Sequence, residues 1–252
     1  MVMEKAKLTR YLDKIRLGNK ITQTQITTHN GNTHSAVATD NKDCLVVLKM
    51  EKSPMQEATI GVGDISKLSN LLQSLGSEIS FDVTNIDRDG EKKAVEVNCK
   101  DDFGNKAKYM LHDTSVVPKA SDEILKTLFQ QEWEVSFTMD SNFIQKFTSG
   151  KSALGDEIDT FTVLTEDGNT SVCIGWRTTH SNRLEIPVTT TKYADVDKFY
   201  FNSDVMSEIL NVNKECETGT FEMVGGDRPL VKLSFNIDDY SAVYFLQSRT
   251  AI

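Results

Sequence analysis

One stretch of this 252-residue chain has the residue types and spacing of a calcium-binding loop. Asn85, Asp87, Asp89 and Glu96 stand at intervals that can place oxygen ligands around a cation, and Gly90 stands where such loops turn sharply. The pattern is incomplete, because its first position is an amide, its usually apolar eighth position is a lysine, and β-branched runs flank it where helices are required. A hairpin turn at Asp89-Gly90 is therefore the favoured interpretation, and no metal site is predicted.

The other chemically versatile residues are scattered along the chain. Asp102-Phe103-Gly104 matches a magnesium-binding tripeptide of kinases, but the companion motifs are missing, so it is interpreted as a turn between strands. Neither a phosphate-binding glycine loop nor a histidine with a neighbouring nucleophile is found, which predicts no catalytic residues and no cofactor. Four widely spaced cysteines predict buried free thiols: Cys44, Cys99, Cys173 and Cys216.

Charge is distributed unevenly. The chain carries a formal net charge of −9, yet its first 20 residues hold six basic and two acidic side chains. A strongly acidic protein does not bind nucleic acid through its whole surface, so any such contact is expected to use a local basic element. The basic residues of this segment are Lys5, Lys7, Arg10, Lys14, Arg16 and Lys20.

The first half of the chain alternates helical and strand patterns. Apolar residues spaced at three and four positions from Leu8 to Ile15 predict an amphipathic helix with its basic residues on another face. Strand-like runs on either side of Asn30-Gly31 predict a hairpin. A second helix is predicted from a cap at Asp64 to Gly76, and three more strand-like runs follow.

The second half repeats this order of elements. A strand-like run leads into a helix that Asp140 or Ser141 caps, then a hairpin turns at Asp167-Gly168, and Ser203 caps a second helix. The first helices of the two halves are offset by about 136 residues and the second helices by about 139. This regularity predicts a duplicated unit, and hence two domains with the same α+β fold.

The predicted domains are residues 1–111 and 132–252, joined by a connector at residues 112–131. Pro118 and its polar neighbours are typical of a linker. The second part of the connector, from Ser121 to Phe129, has capping residues followed by apolar residues at helical spacing, which predicts a short helix. No run of about 18 apolar residues and no N-terminal apolar block is present, so a soluble, intracellular protein without membrane contact is expected.

The order and spacing of all these pieces resemble the DNA sliding clamps. The stretches FYFNSDVMSEILNVNKE, TFEMV and LVKLSFNIDDYSAVYFL resemble the last helix and closing hairpins of phage, archaeal and eukaryotic clamps. The run DTSVVPK is similar to the connector entry of tailed-bacteriophage clamps. The resemblance covers the whole chain and depends on the order of the motifs more than on any one of them.

The resemblance implies a homotrimer whose six domains close head to tail into a ring around double-stranded DNA, with helices lining the hole. It implies a non-enzymatic protein in the cytoplasm of an infected host cell, with a DNA polymerase and a clamp-loader ATPase as partners. For any single lysine, an ordinary solvated helix face is the alternative. The residues placed toward the hole are Lys7, Arg10, Lys14, Lys67, Lys146, Lys151 and Lys214.

In the family, short apolar tails of polymerases and loader proteins dock beside the interdomain connector. The alternative is that these connector residues fill the domain junction, which is the interpretation favoured for Leu125 and Leu128. The helix predicted here departs from the extended connector that is usual in the family. The implied partner-binding residues are Val116, Val117, Pro118 and Phe129.

Two other functions remain open. A β-rich phage structural or adaptor protein would also combine many strands with few catalytic residues, but it leaves the clustered N-terminal basic residues unexplained. An enzyme with a carboxylate site assembled from distant residues would fit the 37 acidic residues, although no spacing among them favours it. A stable trimer in solution would favour the clamp, and a monomer would favour the adaptor.

Overall fold

The structure is a computed structural model that describes residues 2–88, 90–179 and 181–249, without the side chain of Arg88. The chain divides into two compact units, each containing a short segment from a distant part of the sequence. The first unit comprises residues 2–40, 46–121 and 238–242, and the second comprises residues 41–45, 122–237 and 243–249.

The described residues of the first unit form two helices and two sheets. The strand orders within it are β1-β6-β7-β8 and β4-β3-β2-β5, with antiparallel pairs such as β6 with β7 and β2 with β3. Its elements are β1 (Val2–Glu4), α1 (Lys5–Arg16), β2 (Thr24–His29), β3 (Asn32–Ala38), β4 (Cys44–Met50), β5 (Ala58–Val62), α2 (Ile65–Gln73), β6 (Glu78–Arg88), β7 (Glu91–Asp101) and β8 (Lys106–Met110).

The second unit begins with the helix predicted in the connector and then adds the same kinds of element. Its strand orders are β12-β11-β10-β14 and β13-β9-β15-β16-β17. Its elements are α3 (Asp122–Phe129), β9 (Val135–Asp140), α4 (Ser141–Leu154), β10 (Thr160–Glu166), β11 (Asn169–Ile174), β12 (Leu184–Val188), β13 (Thr190–Lys192), β14 (Phe201–Asn202), α5 (Ser203–Val212), β15 (Thr218–Val224), β16 (Leu230–Ile237) and β17 (Tyr240–Gln247).

The topology confirms the predicted duplication. The order β1-β6-β7-β8 in the first unit corresponds to β9-β15-β16-β17 in the second, and β4-β3-β2-β5 corresponds to β12-β11-β10-β14. In each unit a helix follows the first strand, and the second helix leads into the last three strands. The fold class is therefore α+β with two tandem copies of one fold, as the element order predicted.

In each unit the two long helices pack against one another, α1 on α2 and α4 on α5. Each helix buries one apolar stripe, and in α1 this stripe includes Leu8, Tyr11, Leu12 and Ile15, all without solvent exposure. Burying a side chain of this size stabilises the fold by about 1.5–3 kcal/mol. The opposite face of each helix is left for solvent or a ligand.

Two of the predicted helix caps are confirmed, and one is wrong. The Asp64 carboxylate accepts the Lys67 backbone N–H at 2.8 Å, and the Asp140 carboxylate accepts the Phe143 backbone N–H at 2.7 Å. The predicted cap at Ser203 is one residue too late. The Asn202 amide oxygen accepts two backbone N–H groups at the start of α5, so Ser203 is the first helical residue.

Helix α2 ends at Gln73, with Ser74 as its C-cap, rather than at the predicted Gly76. The segment 85–96 belongs to the long β6–β7 hairpin, so its flanks are strands as predicted, and Asp89 lies outside the described residues. The Asp102-Phe103-Gly104 segment connects β7 to β8, where the Gly104 N–H donates to the Asp101 carbonyl at 3.2 Å. All four cysteines are buried free thiols, as predicted.

Candidate nucleic-acid interface

The outward face of α1 carries two of the basic residues predicted to face DNA. Lys7 and Arg10 are both partly exposed on this face. The Arg10 guanidinium donates to the Asp238 carboxylate at 3.1 Å, and the Lys7 ammonium lies 3.9 Å from the Asp239 carboxylate. The basic face of α1 is therefore already matched with acidic groups in the absence of DNA.

Asp238 and Asp239 form the tight turn between β16 and β17, and we call this pair the acidic turn. The Asp239 carboxylate also lies 3.7 Å from the Lys52 ammonium, so it forms ion pairs with both Lys7 and Lys52. Tyr240, the next residue, donates its hydroxyl to the Lys7 carbonyl at 2.8 Å, and its ring lies under the Arg10 guanidinium. Burial raises the pKa of Tyr240 to about 12, so the hydroxyl keeps its proton at neutral pH.

Two of the lysines predicted to face DNA are buried, and for them the prediction is corrected. Lys14 is only 1% exposed, because it follows Tyr11 by three residues and so adjoins the apolar stripe of α1. Lys151 follows Phe147 by four residues, which also places it on the buried side of its helix. Its ammonium contacts the Asp204 carboxylate at 2.8 Å and donates to the Gly155 carbonyl at 3.0 Å, linking α4 to α5.

The remaining three predicted residues, Lys67, Lys146 and Lys214, are exposed. Lys67 lies in the first turn of α2, Lys146 in the middle of α4, and Lys214 just beyond the end of α5. The outward residues of α5 include Asp204 and Glu208, so the α4–α5 pair is less basic than the α1–α2 pair. Of the seven residues, five thus offer a cation at the protein surface.

The first part of the predicted connector is held firmly against the first unit. The Gln25 side-chain amide donates to the carbonyls of Thr114 and Val117 at 2.6 and 2.8 Å. Gly61 lets the connector approach β5 closely, since a Cβ added to this residue would lie 2.5 Å from the His112 carbonyl oxygen. A glycine is needed there because any larger residue would push the connector off β5.

The predicted partner-binding residues separate into exposed and buried ones. Val116 is 70% exposed, and Pro118 is also exposed on the first unit. Val117 is only 4% exposed, and this residue of the prediction is corrected because its side chain faces inward toward Gly61. In the second unit, Phe129 at the end of α3 is half-exposed.

The half-exposed Phe129 belongs to an aromatic cluster in the second unit. Its ring contacts Phe245 edge-on at 5.4 Å between ring centroids, and Trp133 stacks on Phe245 at 6.4 Å. The Lys232 ammonium lies over the Trp133 ring at 5.1 Å. No residue of α3 is fully buried, so Leu125 and Leu128, favoured as junction fillers, are only partly covered within this unit.

Within the described residues, no three His, Cys, Asp or Glu side chains are grouped so as to hold a metal ion. None of the described helices combines the length and apolar composition required to cross a membrane. The candidate binding features are therefore the surface cations on the helix faces and the exposed apolar side chains of the predicted connector. The first suits polyanion contact and the second suits peptide contact.

Comparison with known proteins places this geometry in a structural class. No protein-family model and no curated protein matches the chain. Among solved structures, proliferating cellular nuclear antigen from Entamoeba histolytica matches with a TM-score of 0.72 and 16% identity, over 98% of this chain and 96% of that one. PCNA from A. fulgidus, solved with the C-terminal region of FEN-1 bound, matches with a TM-score of 0.70 and 16% identity, over 100% and 98%.

The chain thus has the fold of the PCNA sliding clamps along its whole length. The predicted resemblance to sliding clamps is confirmed at the level of the fold, and two tandem clamp domains account for the duplicated topology.

Proposed function

We propose that this protein is a bacteriophage-type sliding clamp, a homotrimeric ring that encircles double-stranded DNA and tethers the replicative DNA polymerase in the infected host cell. It performs this role without catalysis of its own. The observation that carries the proposal is the match to PCNA clamps over the whole chain, combined with surface cations on the helices of both units. Polymerase and clamp-loader ATPase are the partners.

DNA contact is proposed for those five of the seven predicted DNA-facing residues that are exposed or partly exposed. Phosphate contacts carry no sequence information, and a small number of them leaves the protein free to move along the duplex. Encirclement then provides retention, so strong phosphate binding is unnecessary. These residues are Lys7, Arg10, Lys67, Lys146 and Lys214.

Ring closure is proposed to pair strand β8 of one subunit with β12 of the next. β8 is the last strand of its sheet in the first unit, and β12 is the last strand of its sheet in the second. A head-to-tail contact between two different edges closes into a ring when the rotation per subunit permits it, and closure pairs the exposed strand edges. Met110 on β8 is 60% exposed, which suits a residue that a neighbouring subunit covers.

The trimer is tested by sedimentation velocity with light scattering on the wild-type protein and Met110→Glu. Wild type is expected at about three times the chain mass of 28.2 kDa, independent of concentration. Met110→Glu is expected to be a folded monomer, because an interfacial carboxylate would lose its hydration without gaining a partner.

The matched control for this measurement is Val2→Glu. Val2 is 65% exposed on β1, at the opposite edge of the same sheet, so its substitution should leave the trimer intact. A wild-type protein that stays monomeric at micromolar concentration would contradict the clamp and would favour a β-rich adaptor.

We further propose that residues 112–131 connect the two domains and that apolar tails of the polymerase and the loader dock beside them. Of the predicted partner-binding residues, Val116, Pro118 and Phe129 are exposed and available for this contact. The bound FEN-1 segment in the A. fulgidus structure supports a clamp fold that receives a chain terminus.

The docking proposal predicts that Val116→Glu weakens binding of the polymerase C-terminal peptide by tenfold or more, since about 1.4 kcal/mol corresponds to a factor of ten. Thermal stability should not change, because the side chain is exposed. Lys119→Glu, at an exposed position three residues further along the same segment, is the control for added negative charge and should bind nearly as wild type does. Equal weakening by both variants would contradict the docking site.

A further inference from the structure

The proposed function does not explain why the acidic turn lies against α1. Its two carboxylates, Asp238 and Asp239, contact Arg10 and Lys7, which are two of the five proposed DNA-facing cations. Arg10 and Asp238 are 228 residues apart in sequence, so the contact is specific to the tertiary structure. On a simple DNA-binding face, the cations would not be paired with carboxylates of the protein itself.

The geometry holds the acidic turn against the helix. The Tyr240 hydroxyl bonds to the Lys7 carbonyl, and the Glu51 backbone N–H donates to the Asp239 carbonyl at 2.7 Å. Asp238 has a positive φ of 50°, a conformation that Asp and Asn tolerate better than most residues. The backbone of the acidic turn is thus held by hydrogen bonds that are separate from the ion pairs of its carboxylates.

We propose that the acidic turn is an internal counter-ion for α1, which holds Lys7 and Arg10 in ion pairs until DNA phosphates replace it. This inference rests on the proposed function, since it concerns the same DNA-facing residues. Exposed ion pairs are individually weak and are screened by salt, so phosphates can compete for the cations. Competition between the turn carboxylates and the DNA phosphates lowers the affinity of each cation–phosphate contact. Weaker contacts let the ring slide along the duplex.

The test is equilibrium binding of the intact wild-type protein and Asp238→Asn to a short linear duplex DNA, measured by fluorescence anisotropy over a range of salt concentrations. Asn preserves the positive-φ turn and removes the charge. Asp238→Asn is expected to bind about two- to fivefold more tightly at low salt, the range that one exposed ion pair supplies. The advantage over wild type should shrink as the salt concentration rises, because salt screens the ion pair that Asp238→Asn removes.

Two further variants show whether the effect acts through Arg10. Asp227→Asn removes the same charge from the exposed β15–β16 turn and should change affinity much less. In an Arg10→Gln background, Asp238→Asn should no longer strengthen binding, because the cation it would release is absent.

The outcomes separate this inference from the proposed function. Equal effects of Asp238→Asn and Asp227→Asn would show that only net charge matters and would overturn the counter-ion. Strengthening that persists in Arg10→Gln would overturn it as well, while both results leave the clamp intact. Failure of every variant, including wild type, to bind duplex at the lowest salt would contradict the DNA-facing role of α1 and both proposals together.

Discussion

At the scale of single residues, Lys151 shows how a basic side chain becomes structural. Its ammonium is buried between the Asp204 carboxylate and the Gly155 carbonyl, so it holds α4 against α5 instead of facing a ligand. A buried ammonium needs such partners, because an unpaired charge away from water is strongly unfavourable. The residue type alone does not show whether a lysine lies on the buried or on the exposed face of its helix.

Replacing Lys151 with Met is expected to lower the free energy of unfolding by about 1–3 kcal/mol, since the Gly155 carbonyl would lose its donor. Urea denaturation monitored by circular dichroism measures this change. Lys146→Met on the exposed face of the same helix is the control and should stay within about 0.5 kcal/mol of wild type. Equal stability of both variants would show that the Lys151 contacts contribute nothing to the fold.

At the scale of elements, the helices of the described residues begin in different ways. α2, α4 and α5 each have a side-chain cap, whereas Glu4 at the start of α1 makes no side-chain cap bond. The cap of α5 is the most connected, because the Asn202 amide nitrogen also donates to the Asp43 carboxylate at 2.7 Å. Arg249 contacts Asp43 in turn, so the cap of α5 is joined to the C-terminal part of the second unit.

Asn202→Ala is expected to destabilise the protein by about 1–2 kcal/mol, because it removes the cap acceptor and leaves the adjacent carboxylate with fewer donors. Thermal or urea unfolding of the variant provides the measurement. Asn211→Ala, at an exposed position of the same helix, is the matched control and should have almost no effect. A smaller loss for Asn202→Ala than for this control would rule out the capping role.

At the scale of the whole molecule, a ring and a surface binder differ in how DNA releases them. A ring that has threaded onto a duplex leaves only by reaching an end, while a surface binder dissociates at a rate set by salt. The ion pairs between α1 and the acidic turn suit the first mode, since they weaken binding by charge alone.

This difference predicts the behaviour of the protein on a duplex anchored at one end. If the free end is blocked with streptavidin after threading, wild type should remain bound through a high-salt wash, because ring closure does not depend on phosphate contacts. With the free end left open, the same wash should remove it. Met110→Glu should be lost in both cases, and equal retention of wild type on open and blocked DNA would contradict encirclement.

The sequence by itself determined the elements and their repetition. Helix stripes, hairpin turns and two of the caps depend on residues within about four positions of each other, so local spacing predicted them correctly. The near-constant offset between the halves predicted the duplicated fold. The resemblance to the clamps followed from that order of elements, and the matched structures confirm it for the fold.

Only the tertiary structure decided which predicted site residues are accessible. Lys14, Lys151 and Val117 have the right residue types for their predicted roles, but each lies on a side of its segment that packing covers. The acidic turn was beyond sequence reasoning for the same reason, because Asp238 lies 228 residues from Arg10 in sequence and meets it only within the folded first unit. Burial and ion pairing depend on residues far apart in the chain, and local patterns carry no information about them.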